Sequence, residues 1–158
     1  MIIRKYKESD REQLKDISVI CIDGMSVDQN IEGLYGHIAG KDWRYRKRCQ
    51  IETDIDTNAK GIFVAEINRS VIGFISTRLN HATKVGWISN FCVLPENQRK
   101  GIGRKLFDRA VAYFESEGME CVRIETLDYN DICLHFYPKL GLKEVARQVN
   151  FAMPIPRR

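Results

Sequence analysis

The stretch of sequence that decides the fold is residues 93–106, VLPENQRKGIGRKL, where a glycine-bearing loop joins an apolar strand to an amphipathic helix. The strand pattern runs from Val85 to Leu94 and stops at Pro95, and the helical pattern ends at Gly118. A helix start offers unpaired N–H groups and the positive end of the helix dipole, and glycines let an anion approach the backbone. The segment is therefore typical of a loop that binds phosphate.

Two familiar phosphate-binding patterns do not fit this loop. A Walker A loop requires G-x-x-x-x-G-K-[ST], which the segment lacks. A dinucleotide fingerprint requires a small residue three positions after Gly103, where Leu106 stands, although Glu125 lies where that motif carries its ribose-binding acid. The loop and the helix start also hold four cations that complement an anionic ligand: Arg99, Lys100, Arg104 and Lys105.

Patterns on both sides of the loop predict a mixed sheet covered by helices. Residues 61–67 and 71–77 are β-rich runs joined by a short turn, and 31–38 has the apolar spacing of an amphipathic helix. The polar stretch 49–60 predicts a loop or a short helical turn, and 142–153 predicts a closing hairpin. Strands and helices alternate in the later half of the chain, which indicates an α/β class.

Composition limits the class of protein. The 158 residues suit one domain spanning 1–158, and 44% apolar with 29% charged residues argues against disorder. No apolar run approaches the ~18 residues of a membrane helix, and the first residues do not resemble a secretory signal, so we expect a cytoplasmic protein without a membrane partner. The five cysteines contain no C-x-x-C pair, so no metal is expected. A net charge of +4 is too small to predict a nucleic-acid partner.

Two motifs together resemble the GCN5-related N-acetyltransferase (GNAT) family. Gln98-x-x-Gly101-x-Gly103 matches the family's [RQ]-x-x-G-x-[GA] motif. Asn130, followed by FYPKLGL at residues 136–142, is similar to the family's N-x-x-[AC]-x-x-[FL]-Y-x-x-x-G-[FL] pattern. Each motif alone is moderately specific, whereas their joint order and spacing is a strong signal.

The resemblance covers residues 61–145 and implies both a fold and a reaction. The fold is α/β, with a mixed, mostly antiparallel six- to seven-stranded sheet, a splayed central strand pair and about four flanking helices. The reaction is transfer of the acetyl group of acetyl-CoA to a primary amine of a small molecule or of a protein or peptide N-terminus. A non-catalytic acyl-CoA-binding module is the main alternative, and a nucleic-acid-binding protein the distant third. A homodimer is compatible with the sequence.

By motif position, the resemblance implies three sets of contacts with acetyl-CoA. Backbone groups of the strand before the loop would bind the pantetheine and the thioester, the loop would wrap the pyrophosphate, and an asparagine amide would contact the pantetheine side. The cofactor-binding residues expected on this basis are Phe91, Cys92, Val93, Gln98, Arg99, Lys100, Gly101, Ile102, Gly103, Arg104 and Asn130.

The resemblance also implies two catalytic side chains. Tyr137 matches the family's tyrosine, which shares a proton with the departing thiolate. An alkylammonium has a pKa near ~10.4, so a base or a water relay must remove a proton from the amine. Many relatives carry a carboxylate on the strand before the loop, where this chain has Ser89 and Asn90. Glu125 on the next strand is the candidate base, unless it is a solvent-facing partner of Arg123.

The side that would bind the amine has the weakest signal. Trp43 and Tyr45 lie among five cations between residues 41 and 48. This cluster would bind an acceptor, or it would be a solvated basic helix end, and the second interpretation is favoured.

Overall fold

The structure, a computed structural model, describes residues 1–156, which form one five-stranded sheet rather than the expected six to seven strands. The strands lie in chain order across the sheet, and each pair of neighbours is antiparallel except β4 and β5, which are parallel. The strands are β1 (Ile2–Lys5), β2 (Phe63–Ile67), β3 (Ser70–Asn80), β4 (Val85–Val93) and β5 (Cys121–Arg123). The prediction of a mixed α/β sheet is therefore confirmed, and the predicted number of strands is wrong.

Five α-helices cover the sheet within residues 1–156, one more than the sequence predicts. Two of them, α1 and α3, pack on one face around Leu14 and Ile51, whereas α4 packs on the other face around Leu106 and Phe114. The helices are α1 (Arg11–Ile22), α2 (Val27–Tyr35), α3 (Trp43–Asn58), α4 (Ile102–Ser116) and α5 (Asp131–Lys139).

The long helix α3 corrects the prediction of a loop over residues 49–60. Its buried side chains recur every three to four residues, at Trp43, Lys47, Ile51, Asp54 and Ile55. Two of these buried positions are charged, so the apolar stripe that marks an amphipathic helix is interrupted in the sequence. Polar groups bonded inside the protein replace part of the usual apolar face.

The closing hairpin predicted for residues 142–153 is also absent from the structure. Residues 142–156 belong to no helix or strand, and the side chains of Val145 and Phe151 are 94% and 92% exposed. Alternating apolar residues predicted strands there, but no described strand pairs with this segment. Two hydrogen bonds connect it to helices: the Leu142 N–H donates to the carbonyl oxygen of Tyr137 at 3.2 Å, and Tyr35 Oη donates to that of Ala152 at 3.0 Å.

The parallel pairing of β4 and β5 is short. It joins residues 85–87 of β4 to residues 121–123 of β5, whereas β4 continues to Val93. The predicted strand over 121–127 is thus confirmed only for its first three residues. Beyond Trp87 and Arg123 no ladder holds the two segments together, as the expected splayed pair requires.

Candidate active site

A bulge on β4 lies at the point where β4 and β5 part. In the register with β3, Ser76 faces Asn90 and Thr77 faces Ile88, which leaves Ser89 as the extra residue. A bulge locally bends a strand and redirects its side chains, and bulges are frequent beside active sites. This one lies opposite Glu125, two residues beyond the last paired residue of β5.

The edge of β4 that faces the opening carries backbone groups with no strand partner. The Leu94 N–H donates to the carbonyl oxygen of Ile72, 2.9 Å away across the β3 side. Because successive residues of a strand direct their N–H groups to opposite sides, the N–H groups of Phe91 and Val93 face the opening. The Val93 carbonyl on that edge accepts from Gln98 Nε2 at 3.0 Å. The structure thus offers two backbone donors beside the bulge.

The loop after β4 is built around two residues with positive φ. Gly101 has φ 76° and precedes the first residue of α4, and a side chain there would be strained. Arg99 has φ 60°, which is uncommon for a residue other than glycine. The N–H groups of Ile102, Gly103 and Arg104 lie in the first turn of α4, where a helix provides no acceptor for them. This geometry suits an anion.

The polar side chains of the loop hold its shape. Gln98 bonds the end of β4, as described above, and Lys100 Nζ donates to the carbonyl oxygen of Glu96 at 2.8 Å. The Arg104 guanidinium donates to the carbonyl oxygen of Lys139 and so connects the start of α4 to the end of α5. Arg99 and Lys100 are exposed at the loop surface.

Gly103 is needed for packing as well as for an open backbone. A Cβ at this position would lie 2.8 Å from Cζ of Phe136 on α5. Phe136 in turn contacts Phe91 on β4, with ring centroids 5.8 Å apart. The glycine therefore lets α4 approach α5 and the strand with the bulge, a role that motif spacing alone does not reveal.

A cleft of about 270 Å³ opens at the bulge and is lined by Arg78, Trp87, Ser89 and Glu125. The Ser89 hydroxyl is buried, and no group within residues 1–156 forms a hydrogen bond with it. A buried polar atom without a partner is rare in native proteins and marks a place where water or a ligand binds. The structure thus brings the predicted base, Glu125, and the bulge residue Ser89 to one cleft.

Tyr137 lies half-buried on α5, with its ring centroid 6.2 Å from that of Phe136. Burial raises the pKa of Tyr137 above its usual range, and the nearby thiols of Cys133 and Cys92 raise it further. The shift favours the neutral phenol over the phenolate.

Asn130 caps helix α5. Its side-chain oxygen accepts from the N–H of Cys133 at 3.2 Å, which leaves the side-chain NH2 free to donate.

A buried polar network stands behind the bulge, and sequence reasoning missed it. Asp54 on α3 is 2% exposed and accepts hydrogen bonds from Ser76 Oγ at 2.5 Å and from Asn90 Nδ2 at 2.7 Å. The same carboxylate accepts from Arg78 Nη2 at 2.8 Å and so orients the guanidinium that lines the cleft. Asn90 also accepts from Lys47 Nζ. We call these five residues the polar network.

Lys47 is the least expected member of the polar network. It is 4% exposed, and burial lowers the pKa of its ammonium below the usual range. The sequence signal that could have revealed it is its spacing of four residues after Trp43 and before Ile51, on one face of a helix.

The basic cluster at residues 41–48 is a solvated helix end only in part. Trp43 and Lys47 are buried, 2% and 4% exposed. Arg46 pairs with Asp28, and the Arg48 guanidinium contacts Asp16, whereas Lys41 and Arg44 are exposed. The favoured interpretation therefore holds for part of the cluster.

The part of the chain that the structure describes contains neither a helix that could cross a bilayer nor a group of metal-binding side chains. No helix within 1–156 combines the length and the hydropathy that crossing a bilayer requires. No three His, Cys, Asp or Glu side chains in this range are grouped so that they could hold a metal ion.

Comparison with known proteins agrees with this geometry. Residues 25–142 match the sequence pattern of the acetyltransferase (GNAT) family. The chain therefore belongs to the GNAT acetyltransferase family. An uncharacterised N-acetyltransferase of Chlorobaculum tepidum is 30% identical over 95 residues, which are 60% of this chain and 57% of that protein. The chain spans about half the length of the curated relatives it matches.

Solved structures share the fold. A crystal structure from Pyrococcus horikoshii superposes with a TM-score of 0.76 at 24% identity, covering 94% of this chain and 92% of that one. The PaiA N-acetyltransferase of Thermoplasma acidophilum, solved in complex with coenzyme A, has a TM-score of 0.68 at 21% identity, covering 87% and 86%. At these identities the likeness establishes the fold.

Proposed function

We propose that residues 1–158 form a single N-acetyltransferase domain, which transfers the acetyl group of acetyl-CoA directly to a primary amine of a small molecule or of a protein or peptide N-terminus. The observation that carries the proposal is the buried, unpartnered hydroxyl of Ser89 in a cleft beside the open edge of β4. Family membership and the loop geometry support it.

The proposed site for acetyl-CoA runs along the open edge of β4 and into the loop. The N–H groups of Phe91 and Val93 would donate to the pantetheine arm and to the thioester oxygen, where negative charge grows as the amine attacks. The side chain of Cys92 packs on the face covered by α1 and α3, and its backbone pairs with Phe74 of β3, so this residue would hold Phe91 and Val93 in place. The pyrophosphate would bind residues 98–104, and the free amide of Asn130 would donate to the pantetheine.

The proposed site for the amine is the cleft. Glu125 would attract the ammonium and accept its proton, directly or through a water held by Ser89. The neutral amine would then attack the thioester carbon, the tetrahedral intermediate would lose its surplus N–H proton to solvent, and the carbon–sulfur bond would break. Tyr137 would donate a proton to the departing sulfur and regain one from solvent.

The proposal is tested by release of free thiol from acetyl-CoA over a panel of polyamines, amino acids, aminoglycosides and N-terminal peptides. Amine-dependent release supports the enzyme. Binding of acetyl-CoA without release on any amine supports the alternative of a non-catalytic acyl-CoA-binding module and contradicts catalysis. If acetyl-CoA neither binds nor releases thiol, both the enzyme and the binding module are contradicted.

The role of Tyr137 is tested by Tyr137→Phe, which keeps the ring. Removing a positioned acid lowers turnover by ~10²–10⁴-fold in general, and water in place of the phenol limits the loss, so we expect at least ~10-fold. The melting temperature and the dissociation constant of acetyl-CoA should stay close to those of the parent. Turnover at the parent rate would assign Tyr137 to packing alone.

We also propose that the chain forms a homodimer through residues 142–156. This segment exposes Val145, Val149 and Phe151 by 79% or more, and exposed apolar groups of this density typically mark an interface. The molar mass measured by light scattering should be twice the 18.3 kDa of one chain. Replacing Val149 and Phe151 by serine should reduce the measured mass to that of one chain. A monomer at all concentrations would contradict this proposal.

A further inference from the structure

The cleft at the bulge continues into a second cleft of about 330 Å³, and the two share Arg78 and Trp87. Arg123 lines the second cleft, whereas Ser89 and Glu125 line the first. Together they form one groove along the face of the sheet that carries the polar network. We call the part of the groove lined by Ser89 and Glu125 its reaction end, and the part lined by Arg123 its distal end.

The register of the sheet arranges the groove in rows. Arg78 pairs with Trp87, and Trp87 pairs with Arg123, so these three side chains form one row across β3, β4 and β5. Glu125 comes two residues after Arg123 and therefore lies about 7 Å farther along the same direction. A cationic row and an anionic group thus stand one strand repeat apart.

Arg123 is placed to bind an anion. Its guanidinium carbon lies 4.4 Å from the centroid of the Trp87 ring, so the ring holds the flat face of the cation. The N–H donors at the edge of the guanidinium stay free, and no carboxylate within residues 1–156 lies within 4.0 Å of them. A planar fork of donors with its face already held is preorganised for a carboxylate.

Arg78 differs from Arg123, because its charge is already balanced. Asp54 accepts from both Nε and Nη2 of Arg78. The side chain is nevertheless 45% exposed and lines both clefts. Arg78 therefore adds a fixed dipole to the row, and Arg123 supplies its unbalanced positive charge.

From this arrangement we infer that the acceptor is an acidic amine, whose amino group and carboxylate bind at neighbouring parts of the groove. The ammonium binds at Glu125 and Ser89, and the carboxylate binds at Arg123 over Trp87. A free acidic amino acid carries both groups, and so does a peptide with an acid at one of its first two residues. This inference rests on the proposed acetyl transfer for its kinetic readout, and it has a separate binding readout.

The kinetic test compares acceptors that differ only in charge: glutamate with glutamine, and a peptide amide beginning alanine–glutamate with one beginning alanine–glutamine. We expect kcat/KM to favour the acidic member by at least ~10-fold in one of the two pairs, since hydrogen bonds between charged groups are among the strong ones. The pair that responds tells a free amino acid from a peptide. Equal rates within both pairs would overturn the inference.

Variants at Arg123 sharpen the test. Arg123→Gln should lower kcat/KM for the acidic acceptor by ~10-fold and leave the neutral one unchanged, and Arg123→Lys should restore part of the loss. Arg109→Gln is the matched control, because Arg109 also lies over an aromatic ring, 4.7 Å from the centroid of Phe63, but on the face covered by α4. Equal losses on both acceptors in Arg123→Gln would assign Arg123 to structure and overturn the inference.

Binding separates this inference from the proposed function. The Trp87 ring is 36% exposed and is half of the anion site, so its fluorescence should change when the acidic acceptor binds. The change should vanish in Trp87→Phe and weaken in Arg123→Gln. Binding without thiol release on any amine would contradict catalysis and support the acceptor class. No acid-dependent binding would overturn the acceptor class, whatever the activity.

Discussion

The two faces of the sheet differ in the polarity of the side chains that they bury. The face under α4 is mostly apolar, with Phe63, Ile75, Ile88, Leu106 and Phe114 at its centre and Thr77 as a buried polar side chain. The face under α3 buries a lysine, an aspartate and two neutral polar side chains behind the bulge, all bonded to one another or to Arg78. Apolar packing stabilises without direction, whereas a buried polar network fixes positions at a cost in desolvation. Stability and positioning are thus divided between the two faces.

Breaking the polar network should have the largest effect on stability. Asp54→Ala leaves three buried or half-buried donors without their acceptor, so we expect a loss of about 3–5 kcal/mol in the free energy of unfolding, measured with urea. The matched change on the other face, Leu106→Ala, should cost about 2–5 kcal/mol by creating a cavity. Only Asp54→Ala should also weaken acceptor binding, because Arg78 loses its anchor. If both variants weaken acceptor binding equally, the proposed division of stability and positioning between the two faces is contradicted.

The buried ammonium should reveal itself in the pH dependence of stability. Burial lowers the pKa of Lys47, so between its folded and its unfolded pKa (~10.4) the unfolded chain binds more protons. The free energy of unfolding of the parent should therefore rise with pH in that window, relative to Lys47→Met, by up to about 1.4 kcal/mol per pH unit. Lys105→Met, on the exposed side of α4, controls for the loss of one charge. Parallel pH profiles of the parent and Lys47→Met would refute the buried charge.

The smallest effect tests how tightly the apolar face is packed. Gly103→Ala places a Cβ against Phe136, and overpacking costs about 1–3 kcal/mol, partly offset by the better helix propensity of alanine. We expect a net loss of about 1 kcal/mol and a raised KM for acetyl-CoA, because Phe136 adjoins Tyr137 and β4. A gain in stability with an unchanged KM would mean that α5 shifts at little cost to make room for the added methyl group.

Local patterns explain what the sequence predicts well. Glycine spacing and a strand-to-helix change are features of neighbouring residues, so residues 93–118 could be assigned without a structure. The helix α3 could not, because Lys47 and Asp54 occupy buried positions that are normally apolar. Their partners, Ser76, Arg78 and Asn90, come from strands 22 to 43 residues away in the chain.

Residues 142–153 illustrate the opposite error, because the sequence predicts strands that the structure does not contain. Residues 142–153 alternate like strands, but strand pairing is decided by distant partners, and none is found for them in residues 1–156. Within the candidate site, the family resemblance pointed to Glu125 on the next strand as the candidate base. No sequence pattern indicated the contact between Trp87 and Arg123, which depends on the parallel register of β4 and β5.

The short ladder between β4 and β5 also sets where the sheet is mechanically weakest. Three residues of β5 are held on one side only, whereas residues 73–75 in the middle of β3 have a bonded neighbour on each side. Amide hydrogens of residues 121–123 should therefore exchange with deuterium through local opening, and those in the middle of β3 only through global unfolding. Local opening should therefore be easier at this seam than in the middle of β3. Such opening would let the groove widen and narrow while both packed faces of the sheet stay intact.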